Sequence, residues 1–180
     1  MGHNVKLKGL PTKSLQGDIA ILDFLKQYGC EISHEDGLTL KKVNPTPKGL
    51  VFDISNSPDL GPILFSLAAL SEEEITIKGI KRLRYKESNR IKAMTDNLER
   101  LGSKYIVNDN QITFYPSKLK GGITVNSFND HRIAMSLAII ATVIEDGLII
   151  EGAESVSKSY PTFFADLRHF GGKTNEIKKQ

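Results

Sequence analysis

The sequence predicts an α/β fold of the α+β kind, assembled from repeated β-α-β-α-β-β units of which the last is incomplete. Three observations carry that prediction. Short strand patterns recur ahead of Gly9, Gly79 and Gly152. After each glycine comes a polar loop and then an amphipathic helix pattern that closes on another glycine, a helix C-cap signal. A second helix pattern, apolar nearly all round, also recurs, each time behind an acid, Asp59 or Asp130. Units of this kind bury their faces against one another. They run approximately over residues 4–55, 56–125 and 126–180, within one domain of residues 4–180, and Met1-Gly2-His3 reads as an appended leader.

Taken in order, Asn4-Val-Lys-Leu-Lys8 occupies the first strand position, as Glu74-Ile-Thr-Ile-Lys78 and Leu148-Ile-Ile-Glu151 do in the later units. The amphipathic helices span Asp18 to Gly29, Ser88 to Gly102 and Pro161 to Gly171. In the second of these Ile91, Met94, Leu98 and Leu101 fall at helical spacing. Hairpins follow the first two helices. Cys30–His34 and Leu38–Lys41 flank Glu35-Asp36-Gly37, and Ser103–Val107 and Gln111–Tyr115 flank Asn108-Asp109-Asn110, turns suited to left-handed backbone. Next comes the strand–turn–acid–helix pattern, Phe52 to Leu70 and again Ile123 to Ala141, with Asp59 and Asp130 at equivalent positions and read first as N-caps. These apolar helices are expected to be buried, and the amphipathic ones to cover the outside. The third unit stops after Lys173-Thr-Asn-Glu-Ile177, so its remaining strands are expected from elsewhere in a longer polypeptide.

Composition narrows the function classes. Hydrophobic residues make up 39% and charged residues 25% of 180, the balance of an ordinary globular domain. A net charge of +3 is too mild to argue for nucleic acid, and aromatics are not interleaved with the basic clusters. Cys30 stands alone, which excludes a disulfide framework and fits a reducing, cytoplasmic setting. It reads as a small buried hydrophobe. The longest apolar run, Ile133 to Ile144, is broken by Ser136 and Thr142, so no membrane span is expected. Metal-ligand spacing, P-loop, GxGxxG and GxSxG patterns are all absent, so neither a metal nor an organic cofactor is expected.

Charge is informative where it clusters. Arg82-Leu-Arg84-Tyr-Lys86-Glu87-Ser-Asn-Arg90 packs four cations and one carboxylate into nine residues, with a helix beginning inside the run. Four other loops precede helices in the same way. They are Lys13-Ser14-Leu-Gln16-Gly-Asp18, Ser57-Pro-Asp59, Asn129-Asp130-His131-Arg132 and Ser157-Lys158-Ser-Tyr-Pro161. Oriented backbone N–H groups at helix starts favour anions. Arg90 and Arg132 stand in first helical turns, where the helix dipole disfavours a cation that lacks a partner. Two guanidiniums suit a carboxylate, and Lys86 and Lys158 suit a phosphate. Asp59 and Glu87 are the carboxylates available to move protons. His131 reads as a hydrogen-bonding group rather than a base, and His34, His169, Lys13 and Lys81 as solvated.

Arg84-Tyr-Lys-Glu-Ser-Asn-Arg90, Asn129-Asp-His-Arg-Ile-Ala-Met135, Lys158-Ser-Tyr-Pro-Thr-Phe-Phe164 and Ser14-Leu-Gln-Gly-Asp18 together resemble the C-terminal part of the 5-enolpyruvylshikimate-3-phosphate synthase family. The resemblance extends, in order, over the chain beyond His3. It implies an enolpyruvyl transferase-like domain, an inside-out α/β barrel, as one of two that close over the substrates. Its missing strands would come from the extreme N-terminus of the same polypeptide.

The resemblance also implies roles. Arg90 and Arg132 would hold the carboxylate of phosphoenolpyruvate, Lys158 its phosphate, and Lys86 the shikimate 3-phosphate side, with His131 among the substrate-binding residues. Asp59 would take the proton of the 5-hydroxyl, and Glu87 would protonate the methylene carbon. Asn89 departs from the family pattern, which usually has Asp there. The implied partners are the two substrates and the missing N-terminal domain, with a monomer as the expected state. The chain alone is expected to be inactive or nearly so, because the segments that grip shikimate 3-phosphate are not in it. Alternatives at this stage are a non-catalytic anion-binding or structural domain of the same fold, a relative acting on UDP-N-acetylglucosamine, and an RNA-end-processing relative.

Overall fold

The computed structural model describes residues 5–8, 14, 16–34 and 37–177. Met1–His3, Gly9, Lys13, Leu15 and Glu35-Asp36, which the sequence places in the first hairpin turn, lie outside the described residues. Nine strands and five α-helices are present among the described residues. In the first sheet β1 (Val5–Leu7) pairs with β3 (Leu38–Lys42), which pairs with β2 (Cys30–Ser33), all antiparallel. The second sheet has the order β4 (Leu50–Asp53), β5 (Ile75–Lys78), β7 (Gln111–Tyr115), β6 (Lys104–Val107). There β4 and β5 are parallel, and the β6–β7 hairpin adds antiparallel to β5. The third sheet is the parallel pair β8 (Ile123–Asn126) and β9 (Leu148–Glu151). These sheets are open, and no closed barrel forms among the described residues.

The helices are α1 (Ile21–Gln27), α2 (Gly61–Ala69), α3 (Arg90–Arg100), α4 (His131–Ala141) and α5 (Phe163–His169). The sheets group the strands differently from the units read in the sequence. Residues 50–53 pair with the strand after them rather than with the hairpin before, and residues 123–126 do the same. In that phase one β-α-β-α-β-β unit is whole, from β4 to β7. It is preceded by the later part of a unit and followed by the β-α-β-α part of another. Parallel pairing across a buried helix is what sets the phase: each β-α-β crossover joins two neighbouring parallel strands of one sheet.

Residues on α2 and α4 are buried on nearly every side and the two helices pack on one another. Ser66 Oγ, buried between them, donates to the Ser136 carbonyl at 3.2 Å. Around them Phe52, Phe65, Leu83, Met94, Leu98 and Phe114 are fully buried. The Phe65 and Phe114 rings meet at 5.6 Å, and each such side chain stabilises the fold by about 2–3 kcal/mol relative to exposure. Cys30 is half-buried rather than buried. The Asn108–Asn110 turn uses no residue with positive φ. It is closed instead by the Asn108 amide donating to Gln111 O at 2.8 Å, and Asn110 O accepts from Gly79. Glycine is required at Gly79 (φ +81°) and Gly152 (φ +71°). A Cβ there would stand 2.4 Å from the hydroxyl of Ser55 or Ser127, the same close approach in both repeats.

Candidate active site

Strands β4, β5, β8 and β9 each run into a short turn, and these turns converge. The turn after β4 enters a 3-10 segment, Pro58–Leu60, before α2. After β5 the 3-10 segment Ile80–Tyr85 leads to Lys86, Glu87 and α3, and after β9 the segment Ala153–Lys158 ends at Lys158. Outside the sheets, the 3-10 turn Gly17–Ala20 brings Asp18 to the same place.

Asp130 caps α4, its Oδ1 accepting from the Arg132 amide at 2.9 Å. It is fully buried and also accepts from Ser88 Oγ at 3.0 Å, Arg90 Nε at 2.8 Å and Arg90 Nη2 at 3.3 Å. Asp59 is not a cap: the N-cap of α2 is Leu60, and the Gly61 amide, two residues beyond Asp59 as Arg132 is beyond Asp130, donates to the Pro58 carbonyl. Its carboxylate turns instead to three cations. Lys86 Nζ stands 3.0 Å away, Arg90 Nη1 2.8 Å and Arg132 Nη2 3.5 Å. Burial would raise the Asp59 pKa, but the hydrogen bond from Lys86 and the charges of Arg132, Lys86 and Arg90 outweigh it and hold it low. At Asp130 burial is likewise overcome, chiefly by Arg90, and the pKa is again lowered.

The arginines in the first helical turns therefore find anionic partners within the chain. Arg90 has a side chain only 4% exposed and is engaged through Nε, Nη1 and Nη2. Arg132 is looser, at 29% exposure, reaching Asp59 and Asp18 over 3.3–3.5 Å. Glu87 forms a second centre. Its Oε1 accepts from Lys158 Nζ at 2.6 Å, and its Oε2 lies 2.8 Å from His131 Nδ1 without the alignment of a hydrogen bond. Lys158 also donates to the Asn129 carbonyl. That carbonyl is aimed by two consecutive left-handed residues, Phe128 (φ 52°) and Asn129 (φ 57°). For side chains other than glycine this conformation costs on the order of 1 kcal/mol or more per residue, and it persists only where its surroundings over-determine it.

The structure thus brings Asp59, Lys86, Glu87, Arg90, His131, Arg132 and Lys158 into one network. It leaves His34 and His169 exposed at its margins and Lys81 at the surface, paired with Asp109 at 2.5 Å. Asp18 and Ser88 join the network although the sequence reading gave them no role. Both sit inside loops it had singled out, so their position was the available signal. Glu87, Asp130 and His131 present atoms within 4.8 Å of one another, the one such group among the described residues. Both Asp130 oxygens and Glu87 Oε1 are already taken by Arg90, Ser88, the Arg132 amide and Lys158, which leaves a divalent ion only Glu87 Oε2 and His131 Nδ1.

Comparison with known proteins identifies the family and the fold. A family model described as EPSP synthase (3-phosphoshikimate 1-carboxyvinyltransferase) matches residues 1–167. A 3-phosphoshikimate 1-carboxyvinyltransferase of Clostridium acetobutylicum is 47% identical over 98% of this chain and 40% of its own length. One from Clostridium kluyveri is 42% identical over 98% of this chain and 41% of its own. The chain therefore spans about two fifths of the curated relatives it matches. An EPSP synthase structure from Acinetobacter baumannii superposes with a TM-score of 0.82 at 27% identity, covering 99% of this chain and 44% of that one. The enolpyruvyl transferase NikO of Streptomyces tendae shares the fold, with a TM-score of 0.68 at 18% identity over 86% of this chain and 35% of that one.

Proposed function

The chain belongs to the EPSP synthase (3-phosphoshikimate 1-carboxyvinyltransferase) family, and from that premise we propose that it forms one wall of an enolpyruvyl transfer site. The reaction moves the enolpyruvyl group of phosphoenolpyruvate to the 5-hydroxyl of shikimate 3-phosphate and releases phosphate. One observation carries the reading: two carboxylates stand apart, Asp59 against three cations, Lys86, Arg90 and Arg132, and Glu87 against the Lys158 ammonium with the His131 ring beside it.

An alcohol adding to an enol carbon needs one group to take the hydroxyl proton and another to protonate the methylene carbon. Asp59, held ionised, takes the first. Ligand anions that draw Lys86 and Arg132 away remove what keeps its pKa low, so it gains basicity as the substrates bind. Glu87 delivers the second proton as the new C–O bond forms, and recovers one from the resulting methyl group as the C–O bond to phosphate breaks. His131 orients Glu87. Lys158 moves from Glu87 to the departing phosphate. Arg132 takes the carboxylate of phosphoenolpyruvate, with Arg90 assisting from the Nη1 edge it shows to Asp59. The hydroxyl proton held by Asp59 leaves with the phosphate, which departs as hydrogen phosphate, so both carboxyl groups return to their starting state and the steps balance without a metal or organic cofactor.

Four cations, Lys86, Arg90, Arg132 and Lys158, face four carboxylates, Asp18, Asp59, Glu87 and Asp130. Neutralised from within, this wall has no net positive charge for two multiply anionic substrates. The remaining cations must come from the rest of a longer polypeptide, working as a monomer in the cytoplasm. The test is a graft of this chain in place of the matching segment of a clostridial relative, assayed by phosphate release. The graft turns over, and Glu87→Gln and Asp59→Asn each lower kcat by about 10²–10⁴-fold, the usual share of a positioned acid or base. Turnover by the isolated chain, or an undiminished kcat in either variant, contradicts the reading.

A further inference from the structure

We infer that Asn97, in the third turn of α3, is a positioning residue that sets the spacing between Arg90 and the Asp130–Arg132 end of the site. The residue is 2% exposed, and its side chain hydrogen-bonds to Ala93 and Asn126 rather than to the charged groups of the site. The amide clasps the last residue of β8 as a neighbouring strand would. Asn97 Nδ2 donates to the Asn126 carbonyl at 2.8 Å, and the Asn126 amide donates to Asn97 Oδ1 at 2.9 Å. The second Nδ2 proton goes to Ala93 O, one turn back on α3, at 2.8 Å. Every capacity of the side chain except one acceptor lone pair is used, so its position is fixed in both directions.

What it clasps is the root of the strained turn. Asn126 Oδ1 accepts from the Phe128 amide at 2.7 Å. Ser127, fully buried, accepts from the Asn129 amide at 3.1 Å and donates to Gly152 O at 2.9 Å, while its own amide bonds to Glu151 O. Thus β9 holds the turn from one side and Asn97 holds it from α3 on the other. The left-handed Phe128 and Asn129 are kept in place by that double grip. They direct the Asn129 carbonyl to Lys158 and Asp130 to Arg90. Arg90 begins the same helix that Asn97 anchors, so a single rigid rod carries both the arginine and the clasp on the turn that receives it.

This deepens the proposed function and rests on it only for the effect on ligands; the test needs no ligand, so the two can fail separately. Amide and guanidinium hydrogen exchange is measured on the whole chain, wild type against Asn97→Ala, with Leu98→Val as a control that opens a cavity in the same turn of α3. Asn97→Ala raises exchange at Arg90 Nε and at the amides of 127–130 and 132 at least tenfold beyond the average rise for the β4–β7 core. Leu98→Val raises all of these together. If Asn97→Ala does not fold, Asn97→Ser, which keeps one polar group on the turn, is read the same way and gives a smaller excess at the same sites. Uniform acceleration in whichever Asn97 variant folds overturns the inference. So does unchanged exchange at Arg90 and the turn.

Discussion

The turns that enter α2 and α4 begin as copies of each other and end in opposite employment. Asp130 is fully buried, caps its helix and holds Arg90 with both oxygens. Asp59, at the matching place, is 35% exposed, caps nothing and faces three cations. The amide that matches the one Asp130 caps belongs to Gly61, and in the 3-10 segment begun by Pro58 it already donates to the Pro58 carbonyl. Where the amide is free, the acid caps its helix. Where the amide is already taken, the acid turns to the cations around it. A repeat can therefore hold its architecture constant while local backbone bonding decides which copy of the acid is a cap.

The sharpest way to break this comparison is to neutralise each acid in turn. Asp130→Asn leaves a buried guanidinium without its anion and destabilises the chain by about 3–5 kcal/mol. Asp59→Asn, at a partly exposed position, changes stability by under about 1 kcal/mol. Urea unfolding measures both, and equal losses would erase the distinction drawn between the two turns.

A smaller effect is expected from acid. Both carboxylates have folded pKa values held below the unfolded value, which for Asp is about 3.9. The stability they contribute is then complete above that value and is lost as pH falls through the lower, folded values. Unfolding midpoints followed downward from about pH 5 should decline below about pH 4. Asp130→Asn should flatten that decline more than Asp59→Asn. A decline of the same steepness in Asp130→Asn would place the acid sensitivity elsewhere.

Smallest of all is the effect at Asn89, where the family usually has Asp. Here Asn89 caps α3, accepting from the Lys92 amide at 3.2 Å. Asn89→Asp keeps that bond and adds a charge favourable to the helix dipole, worth about 0.5 kcal/mol. Thermal unfolding should show a slight gain, and a loss would mean that the charge meets Glu87 more strongly than the helix.

The sequence made much of this legible. Strands, both helix types and the converging loops follow from periodicity and from glycine, and Arg90 and Arg132 were marked as needing anions. Which anions they find was not legible, because the burial of Arg90 depends on Ser88, Asp59 and Asp130 arriving from three separate turns. Asp59 looks like a cap because its neighbours resemble those of Asp130, and residue spacing does not show that the 3-10 turn takes up the Gly61 amide. The phase of the repeat was hidden for a similar reason: strand patterns show spacing but not which neighbour a strand pairs with. Asn97 gave no sign, since an amide on a helix face announces nothing until the strand it clasps is beside it.

The network around Asp59 and Glu87 is proposed as one wall of a site for phosphoenolpyruvate and shikimate 3-phosphate. Titrating the chain with each ligand while following backbone and side-chain NMR shifts tests it most directly. The expected result is weak binding, with perturbations confined to Asp59, Lys86, Glu87, Arg90, the turn 128–132 and Lys158. Perturbations spread over other surfaces, or a stronger response to a nucleotide than to either ligand, would contradict it.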